Sequence, residues 1–372
     1  MSDPLFIGLT TGAAFLLSFL LFTNPKNINV KANRWLGVFV FSFACAMLEI
    51  FLHNLRLVKN RHVALSLIEA SRFLSAPTLY LSVSSFTSAN KKDKAVYLHF
   101  ALFFAALILL MPNILTGENF KFPNEYIAGI VLTFFKISLP AQTVIYWCLS
   151  FLKLRRHEQN IRQVTSFTTE IDLSWLKYFL WVLAAVVLIW LNLALFNFTV
   201  LFGFTPFLYL LSVYFLAYFA LKQSEIYPFT KVDLQELDIV ISSTTPHKTE
   251  KQKRLTESQT VVLKEKLENL MQLEKVYLNN ELSLPVLAQQ MGVSIHELSF
   301  LINDVYGENF FSFVNRHRIE EAKRLLHSEK YETLNILGIA YEAGFNSKTT
   351  FNTAFKKSTG LSPSEFALTG RK

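Results

Sequence analysis

Five ionisable side chains lie inside long apolar stretches of this 372-residue chain: Glu49, Glu69, Arg72, His99 and Lys136. A charge in the middle of an apolar helix costs about 2.5–3.5 kcal/mol on insertion scales, so such groups pair with one another or serve a ligand or a proton. Glu69 and Arg72 are three residues apart, which places them on one helix face where they can pair. Two interpretations stay open: structural charges that neutralise one another, and a polar ligand or proton site.

The sequence contains no motif of a known catalytic or metal site. It has no phosphate-cradling glycine loop, no His-Glu-x-x-His and no Gly-x-Ser-x-Gly. The two cysteines, Cys45 and Cys148, lie in apolar runs and cannot build a disulfide framework or a thiolate metal site. We therefore expect no catalytic residue, no metal and no cofactor, and a mechanism that consists of binding.

The elements that carry the five charges are unusually apolar. Hydrophobic residues make up 52% of the chain and charged residues 17%, whereas soluble domains carry about 25% charged residues. Crossing the hydrocarbon core of a bilayer takes roughly 17–25 residues. Residues 1–222 are therefore predicted to form a seven-span transmembrane helix bundle. The seven apolar runs are Leu5–Thr23, Trp35–Leu52, Val63–Phe86, Ala95–Met111, Ile127–Leu152, Trp175–Phe198 and Thr199–Leu221.

The basic residues of the loops predict how these spans are oriented. The loops after the first, third and fifth runs contain 10 Lys and Arg, against 4 in the other loops. Since cytoplasmic loops are the basic ones, we expect the N-terminus outside and the C-terminus in the cytoplasm. The lipid bilayer of a bacterial inner membrane is the expected surrounding.

The composition changes after the last apolar run. Residues 1–222 carry a net charge of +9 and residues 223–372 a net charge of −1, so the basic excess lies in the apolar half. Residues 223–255 are interpreted as a linker, because residues 242–254 contain no apolar side chain. From residue 256 a helical pattern resumes and predicts a second folded domain, 256–372. Its first helix either packs on that domain or pairs with a second copy of the chain, so a homodimer stays open.

The C-terminal domain contains an internal repeat. The segment from Leu287 to Gly292 recurs from Ile339 to Gly344, with an apolar residue, an alanine and a glycine at the same spacing. The glycine supplies the backbone freedom of a turn. Ser294 and Glu297 fit a capping box that opens the next helix, and Ser347 is the matching cap in the second copy. This arrangement is typical of two helix-turn-helix motifs.

One long helix is predicted between the two copies. Apolar residues recur at helical spacing over residues 310–327, which as a helix span about 27 Å. Such a helix can hold two recognition helices roughly one turn of DNA (~34 Å) apart. The fold class is therefore all-α: a seven-span bundle followed by two helix-turn-helix motifs joined by a long helix.

Residues 282–368 resemble the C-terminal DNA-binding domain of the AraC/XylS family of bacterial transcription regulators. The apolar half is not the sugar-binding domain usual in that family and is similar to membrane-anchored regulators. The residues that carry the resemblance are Leu284-Pro285-x-Leu287-Ala288, Gly292-Val293-Ser294, Arg318-Ile319-x-x-Ala322-x-x-Leu325-Leu326, the run from Ile339 to Ser347, and Phe351-x-x-x-Phe355-Lys356-Lys357-x-x-Gly360-x-x-Pro363.

The resemblance implies which residues read DNA, since the family reads bases with the second helix of each repeat. In the first repeat these are His296, Ser299 and Phe300, although Phe300 stands where an arginine is common and is equally consistent with a core position. Asparagine suits adenine and threonine methyls suit thymine, whereas lysines suit phosphates. The second set comprises Lys348, Thr349, Thr350, Asn352, Thr353, Lys356 and Lys357.

Together these patterns predict a membrane-embedded transcription regulator that binds double-stranded DNA and senses an unknown small-molecule or membrane signal. Two other classes stay open. One is a transporter- or channel-like protein whose cytoplasmic tail is a protein-interaction module. The other is a membrane enzyme that uses Glu49, Glu69 or His99, which no residue spacing supports.

Overall fold

The computed structural model describes residues 4–56, 63–87, 96–116, 120–166, 173–196, 204–224, 226, 256–328 and 334–369. The chain divides into two compact units. The first unit comprises residues 1–155 and 173–226, and the second comprises residues 156–172 and 227–372.

Each of the seven predicted apolar runs contains a helix, as the sequence predicts. The fourth helix is preceded by a 3₁₀ turn at Val96–Phe100. The fifth helix continues well past the predicted end of its run at Leu152. The helices are α1 (Pro4–Thr23), α2 (Val30–Asn54), α3 (Val63–Thr87), α4 (Ala101–Thr116), α5 (Glu125–Val164), α6 (Ser174–Phe196) and α7 (Thr205–Lys222).

Five of these stretches are long and apolar enough to cross a membrane, judged by length and composition among the described residues. They are α1, α2, the 3₁₀ turn with α4, α5 and α7. Helix α6 contributes a shorter apolar stretch, Ser174–Ile189. Helix α3 is of sufficient length, but it carries Glu69, Arg72 and several serines.

Two polar side chains of the first unit form hydrogen bonds between helices. The Ser18 hydroxyl on α1 donates to the carbonyl of Gly37 on α2 at 2.9 Å. The Trp147 indole on α5 donates to the carbonyl of Leu180 on α6 at 2.8 Å. These side chains use main-chain carbonyls as partners, which avoids the cost of burying an unpaired polar group.

Prolines inside helices mark the points where kinks are expected. Pro77 lies inside α3 and Pro140 inside α5. Pro206 falls inside the seventh apolar run of the sequence, Thr199–Leu221, but α7 begins at Thr205, so Pro206 lies in the first turn of the helix. A proline there costs little, because the N–H that it lacks would have no helical partner. The junction between the sixth and seventh apolar runs, at residues 198 and 199, lies outside the described residues.

The second unit is built from short helices and one long one. The predicted long helix is confirmed as α11, which ends one residue before the predicted end. The helices are α8 (Glu257–Gln272), α9 (Leu284–Met291), α10 (Ile295–Val305), α11 (Phe310–Leu326), α12 (Ile336–Glu342), α13 (Lys348–Thr359) and α14 (Pro363–Thr369), with a 3₁₀ turn at Val276–Leu278 before α9.

Helix α11 joins two separate apolar cores. Its N-terminal half, with Phe310, Phe313 and Val314, belongs to a first core that includes side chains of α8, α9 and α10. Its C-terminal half, with Ile319 and Leu325, belongs to a second core that includes side chains of α12, α13 and α14. Each helix-turn-helix repeat therefore has a core of its own, and α11 is the shared support.

The predicted linker, residues 223–255, lies almost wholly outside the described residues, and the three-part division 1–222, 223–255 and 256–372 stays a prediction. The structure adds residues 156–172 to the compact unit that contains the repeats.

Candidate nucleic-acid interface

The first helix-turn-helix is built as its sequence predicts. Gly292 ends α9 in the left-handed conformation (φ 66°), and its turn is closed by a hydrogen bond from the Val293 N–H to the Ala288 carbonyl. Ser294 then opens α10 with the predicted capping box. Its hydroxyl accepts from the Glu297 N–H at 3.2 Å, and the Glu297 carboxylate accepts from the Ser294 N–H at 2.9 Å.

Helix α10, which carries the three residues predicted to read DNA in this repeat, presents few of its side chains to solvent. Five of its eleven residues are buried. Ser299 is one of them, and its hydroxyl accepts a hydrogen bond from the Asn303 amide at 3.3 Å. His296 and Phe300 are half-buried. The exposed residues of this helix are Asn303, Asp304 and Val305, none of which carries a positive charge.

The second helix-turn-helix has a longer turn, residues 343–347, that packs closely on its surroundings. Asn335 caps α12 by accepting from the Gly338 N–H at 2.8 Å, and Ser347 caps α13 by accepting from the Thr350 N–H at 3.3 Å. Between them Gly344 adopts φ 88°. A β-carbon at Gly344 would lie 2.5 Å from the Tyr277 carbonyl oxygen, so only glycine fits this turn.

Helix α13 turns one apolar face inward and a polar face outward. Only two of its twelve residues are buried, Phe351 and Phe355. At 3.6 residues per turn, the side opposite these rings carries threonine and lysine. The exposed predicted residues are Lys348, Thr349, Thr353, Lys356 and Lys357, and Thr350 and Asn352 are half-buried. The seven predicted residues therefore lie on one short helix whose side chains are accessible or partly so.

Arg318 of α11 joins the two repeats from inside. Its guanidinium is 1% exposed and donates to the carbonyls of Tyr277 and Asn279, each at 2.7 Å. It also donates to the carbonyl and the hydroxyl of Ser166, at 3.1 and 2.9 Å, and to the side-chain oxygen of Asn315 at 3.3 Å. Burial lowers the pKa of Arg318 to about 9, so the group stays charged at neutral pH.

His317, next to Arg318, belongs to the first repeat. Its ring stacks on Tyr277 with centroids 5.8 Å apart and meets Phe313 edge-on at 5.1 Å. Burial, assisted by the positive charge of Arg316, lowers the pKa of His317 to about 4. The imidazole is therefore neutral at pH 7 and acts as a packed aromatic ring.

The predicted intramembrane residues lie in different surroundings: an ion pair, a contact with a tyrosine hydroxyl and an exposed position. Arg72 does not pair with Glu69 as expected. Its guanidinium lies 2.6 Å from the carboxylate of Glu49 on α2, because a long arginine side chain can reach a neighbouring helix that packs this closely. His99 lies 2.7 Å from the Tyr146 hydroxyl, and Lys136 is exposed.

A cavity of about 470 Å³ lies within the first unit among α2, α3, α5, α6 and α7. Its lining is mostly apolar, and Arg72, Tyr146, Trp147 and Tyr209 contribute the larger polar groups. Of the five predicted residues, Arg72 is the one that lines it. The structure thus brings Arg72 and Glu49 together near a cavity and leaves His99 and Lys136 outside its lining.

Sequence reasoning missed the contribution of residues 156–166 to the second unit. The signal was present: Leu154, His157, Ile161 and Val164 recur at spacings of three, four and three, and all four are buried. That pattern predicts an amphipathic helix that continues beyond Leu152 with one face packed on protein.

Residues 287–368 match the model of a helix-turn-helix domain of the AraC type. The match begins inside α9 and ends inside α14, so it covers both repeats and the long helix between them. No curated protein and no solved structure matches the chain. With the two repeats each folded around its own core and joined by α11, residues 287–368 form an AraC-type helix-turn-helix DNA-binding domain, and the chain is a DNA-binding transcription regulator.

Proposed function

We propose that this regulator is embedded in the bacterial inner membrane, where its N-terminal helices sense a signal and its cytoplasmic C-terminal domain binds promoter DNA. The observation that carries the proposal is the presence, in one chain, of helices apolar enough to cross a bilayer and of a DNA-binding domain. The protein acts by binding and not by catalysis.

The outer surface of α4 and α5 supports a lipid surrounding. On α5, Leu132, Phe134 and Ile137 are 57, 55 and 61% exposed. Large apolar side chains with this much exposure are unfavourable in water, because each exposed ring or branched side chain orders water around it. In a bilayer the same surface lies against acyl chains at no such cost.

The topology that this function needs can be tested with reporter fusions. We expect fusions at residue 2 to report the periplasm and fusions at residue 230 to report the cytoplasm, following the excess of basic residues in alternate loops. A periplasmic residue 230 would contradict the proposal, because the DNA-binding domain would then be separated from the chromosome.

We assign base reading mainly to α13. Asn352 offers the amide that pairs bidentately with adenine, and Thr349 and Thr353 offer methyl groups to thymine. Lys348, Lys356 and Lys357 are exposed on the same helix and are suited to phosphates. In the first repeat His296, Ser299 and Phe300 contribute less, because Ser299 is buried and residues 276–315 around this helix contain four acidic residues and no lysine or arginine.

DNA binding by the full-length protein in lipid nanodiscs is the direct test. We expect a duplex selected from a random library by this protein to bind tightly, and a scrambled duplex of equal length to bind at least about a thousandfold more weakly at physiological salt. Equal affinity for both duplexes would favour a protein-interaction tail over a promoter-binding domain.

The cavity in the first unit is the proposed sensing site. A volume of about 470 Å³ lies in the range of about 300–1,000 Å³ typical of small-molecule sites. Since its lining is mostly apolar and the Arg72 charge is neutralised by Glu49, the ligand class that fits is a hydrophobic small molecule.

Two neighbouring alanines provide a matched test of this site. Ala184 lines the cavity, whereas Ala185 is exposed and does not line it. With an alkyl-diazirine photoprobe, we expect labelling of residues 139–147 to fall in Ala184→Phe, whose ring fills the space, and to persist in Ala185→Phe. Equal labelling of the two variants would show that the cavity does not take up hydrophobic molecules.

A further inference from the structure

The last turns of α5 belong to the DNA-binding unit. Helix α5 begins at Glu125, in the first unit, and its residues from Arg156 onward belong to the second. Within the second unit, Val164 is 2% exposed and is part of the first repeat's core. Ile161, one turn earlier, is 3% exposed. This end of α5 is therefore packed into protein and not merely attached to a loop.

Main-chain hydrogen bonds fix the same segment to the residues that precede α9. Thr165 pairs with Ser283 as an isolated antiparallel bridge. The Ser166 N–H and hydroxyl both donate to the Leu282 carbonyl, at 3.2 and 2.6 Å. On the helix itself, the Arg162 guanidinium lies over the Phe311 ring of α11 at 5.7 Å.

Ser166 also completes the surroundings of Arg318. Two of the five hydrogen bonds from the buried guanidinium end on Ser166, and two others end on the carbonyls of Tyr277 and Asn279. The other side of the guanidinium faces the Phe345 ring, 5.8 Å away, in the turn of the second repeat. Arg318 thus contacts the end of α5, the residues that precede α9 in the first repeat, and the turn of the second repeat.

We propose that residues 156–166 are a docking segment of the DNA-binding domain, and that the contacts of Ser166 with Arg318 set the position of one helix-turn-helix relative to the other. A buried donor that loses its acceptor is costly, so Arg318 moves when Ser166 withdraws. Gly344 packs against Tyr277 and Leu278 with no room for a β-carbon, so movement at Tyr277 displaces the second turn as well. A displacement of α5 therefore changes the spacing of the two recognition helices.

Cleavage of the linker would separate the docking segment from the repeats. Cutting the chain within residues 223–255 would leave the docking segment on the N-terminal fragment, so the released domain would lack the Ser166 contacts. The docking itself does not depend on the proposed sensing role, whereas control by α5 rests on it.

A disulfide across the bridge tests the docking in the full-length protein. The background carries Cys45→Ala, Cys148→Ser and a protease site inserted within residues 242–254. Paired residues of an antiparallel bridge have Cα atoms about 4.5–5.5 Å apart, which suits a disulfide. After cleavage without reductant, we expect Thr165→Cys with Ser283→Cys to keep the two fragments joined.

The matched control combines Thr165→Cys with Asn303→Cys, at an exposed position of α10. Both cleaved proteins are run on a denaturing gel without reductant, where docking alone cannot hold the fragments together, so the control fragments should separate. If the bridge pair separates as completely as the control pair, residues 156–166 do not dock and the inference is wrong.

The positional role of Ser166 is tested by Ser166→Ala, with Gln159→Ala as the control because Gln159 is exposed in the same segment. Using duplexes selected by the wild-type protein, we compare DNA that carries both half-sites with DNA that carries only the half-site of the second repeat. We expect Ser166→Ala to weaken binding to the double site about tenfold, since the hydroxyl's hydrogen bonds with Arg318 and the Leu282 carbonyl are lost, and to leave binding to the single site unchanged.

Each outcome bears on one claim. An equal loss on both DNAs, or no loss on either, would show that Ser166 does not set the spacing of the repeats. Failure of the wild-type protein to select any duplex would instead contradict the proposed function and leave the disulfide result to judge the docking.

Discussion

The two helix-turn-helix repeats follow the same sequence rules and present very different surfaces. Both have a helix, a glycine turn and a second helix opened by a serine cap. Yet five of eleven residues of α10 are buried, against two of twelve of α13. Residues 276–315, around the first repeat, contain no lysine or arginine and four acidic residues. Residues 339–372, around the second, carry a net charge of +3.

The difference follows from what packs on each repeat. The first shares its core with Leu267, Leu270 and Met271 of α8 and with Val164 of the docking segment. The second has no element of α5 or α8 among its core residues in the described part of the chain. A motif that evolved to read DNA can thus also serve as an attachment point, and we expect the two repeats to divide these tasks.

The largest expected effect is a loss of stability, which should be greater for alanine at Gly344 than for alanine at Gly292. In Gly344→Ala the new methyl would lie 2.5 Å from the Tyr277 oxygen at φ 88°, and we expect a loss of about 3 kcal/mol or more in the stability of the second repeat. Gly292→Ala has φ 66° but no atom within 4 Å, so only the backbone strain of about 1–2 kcal/mol applies. Amide hydrogen exchange of the full-length protein measures both. Equal losses would show that the close approach at Gly344 relaxes easily.

Asn352→Ala should cost about 1–3 kcal/mol of discrimination between the selected duplex and one with its adenine replaced. His296→Ala should cost less, because residues 276–315 around the first repeat contain four acidic residues and no lysine or arginine. Fluorescence anisotropy with labelled duplexes gives both affinities. A larger loss for His296→Ala would mean that the first repeat reads DNA despite its charge.

Removing two cations from α13 should weaken binding in a salt-dependent way. Lys356 and Lys357 are both exposed, and each phosphate contact contributes about −0.9 to the slope of log affinity against log salt. Lys356→Ala with Lys357→Ala should therefore flatten this slope by up to ~1.8 and weaken binding about equally on all sequences. An unchanged slope would indicate that both lysines are merely solvated.

The smallest expected effect is an acid sensitivity confined to the first repeat. The pKa of His317 is lowered from 6.5 to about 4 in the folded protein, so between these values the unfolded state binds more protons and stability falls as the pH falls. Linkage between these two pKa values gives about 2 kcal/mol for lowering the pH from 7 to 5, and because the ring is partly exposed we expect about 1 kcal/mol of this to be lost from the first repeat. The free energy of opening, obtained from hydrogen exchange corrected for intrinsic rates, should lose this pH dependence in His317→Gln. An equal dependence in the variant would place the titrating group elsewhere.

The sequence by itself determined most of the features that rest on local pattern. Apolar runs of membrane-spanning length predicted the positions of α1 to α7, and the two spaced glycines with their serine caps predicted both turns. The capping box of Ser294 and Glu297 could be predicted because its partners are three residues apart. Even the continuation of α5 could have been predicted, from the spacing of its buried residues.

Only the tertiary structure decided which distant residues meet. Arg72 pairs with Glu49 on another helix instead of with its near neighbour Glu69, because α2 packs on α3. Ser166 meets Arg318, 152 residues away in sequence, and the need for glycine at position 344 comes from Tyr277 and not from its own turn alone. Periodicity determines which face of a helix is apolar, but which partner covers that face depends on long-range packing that no local pattern encodes.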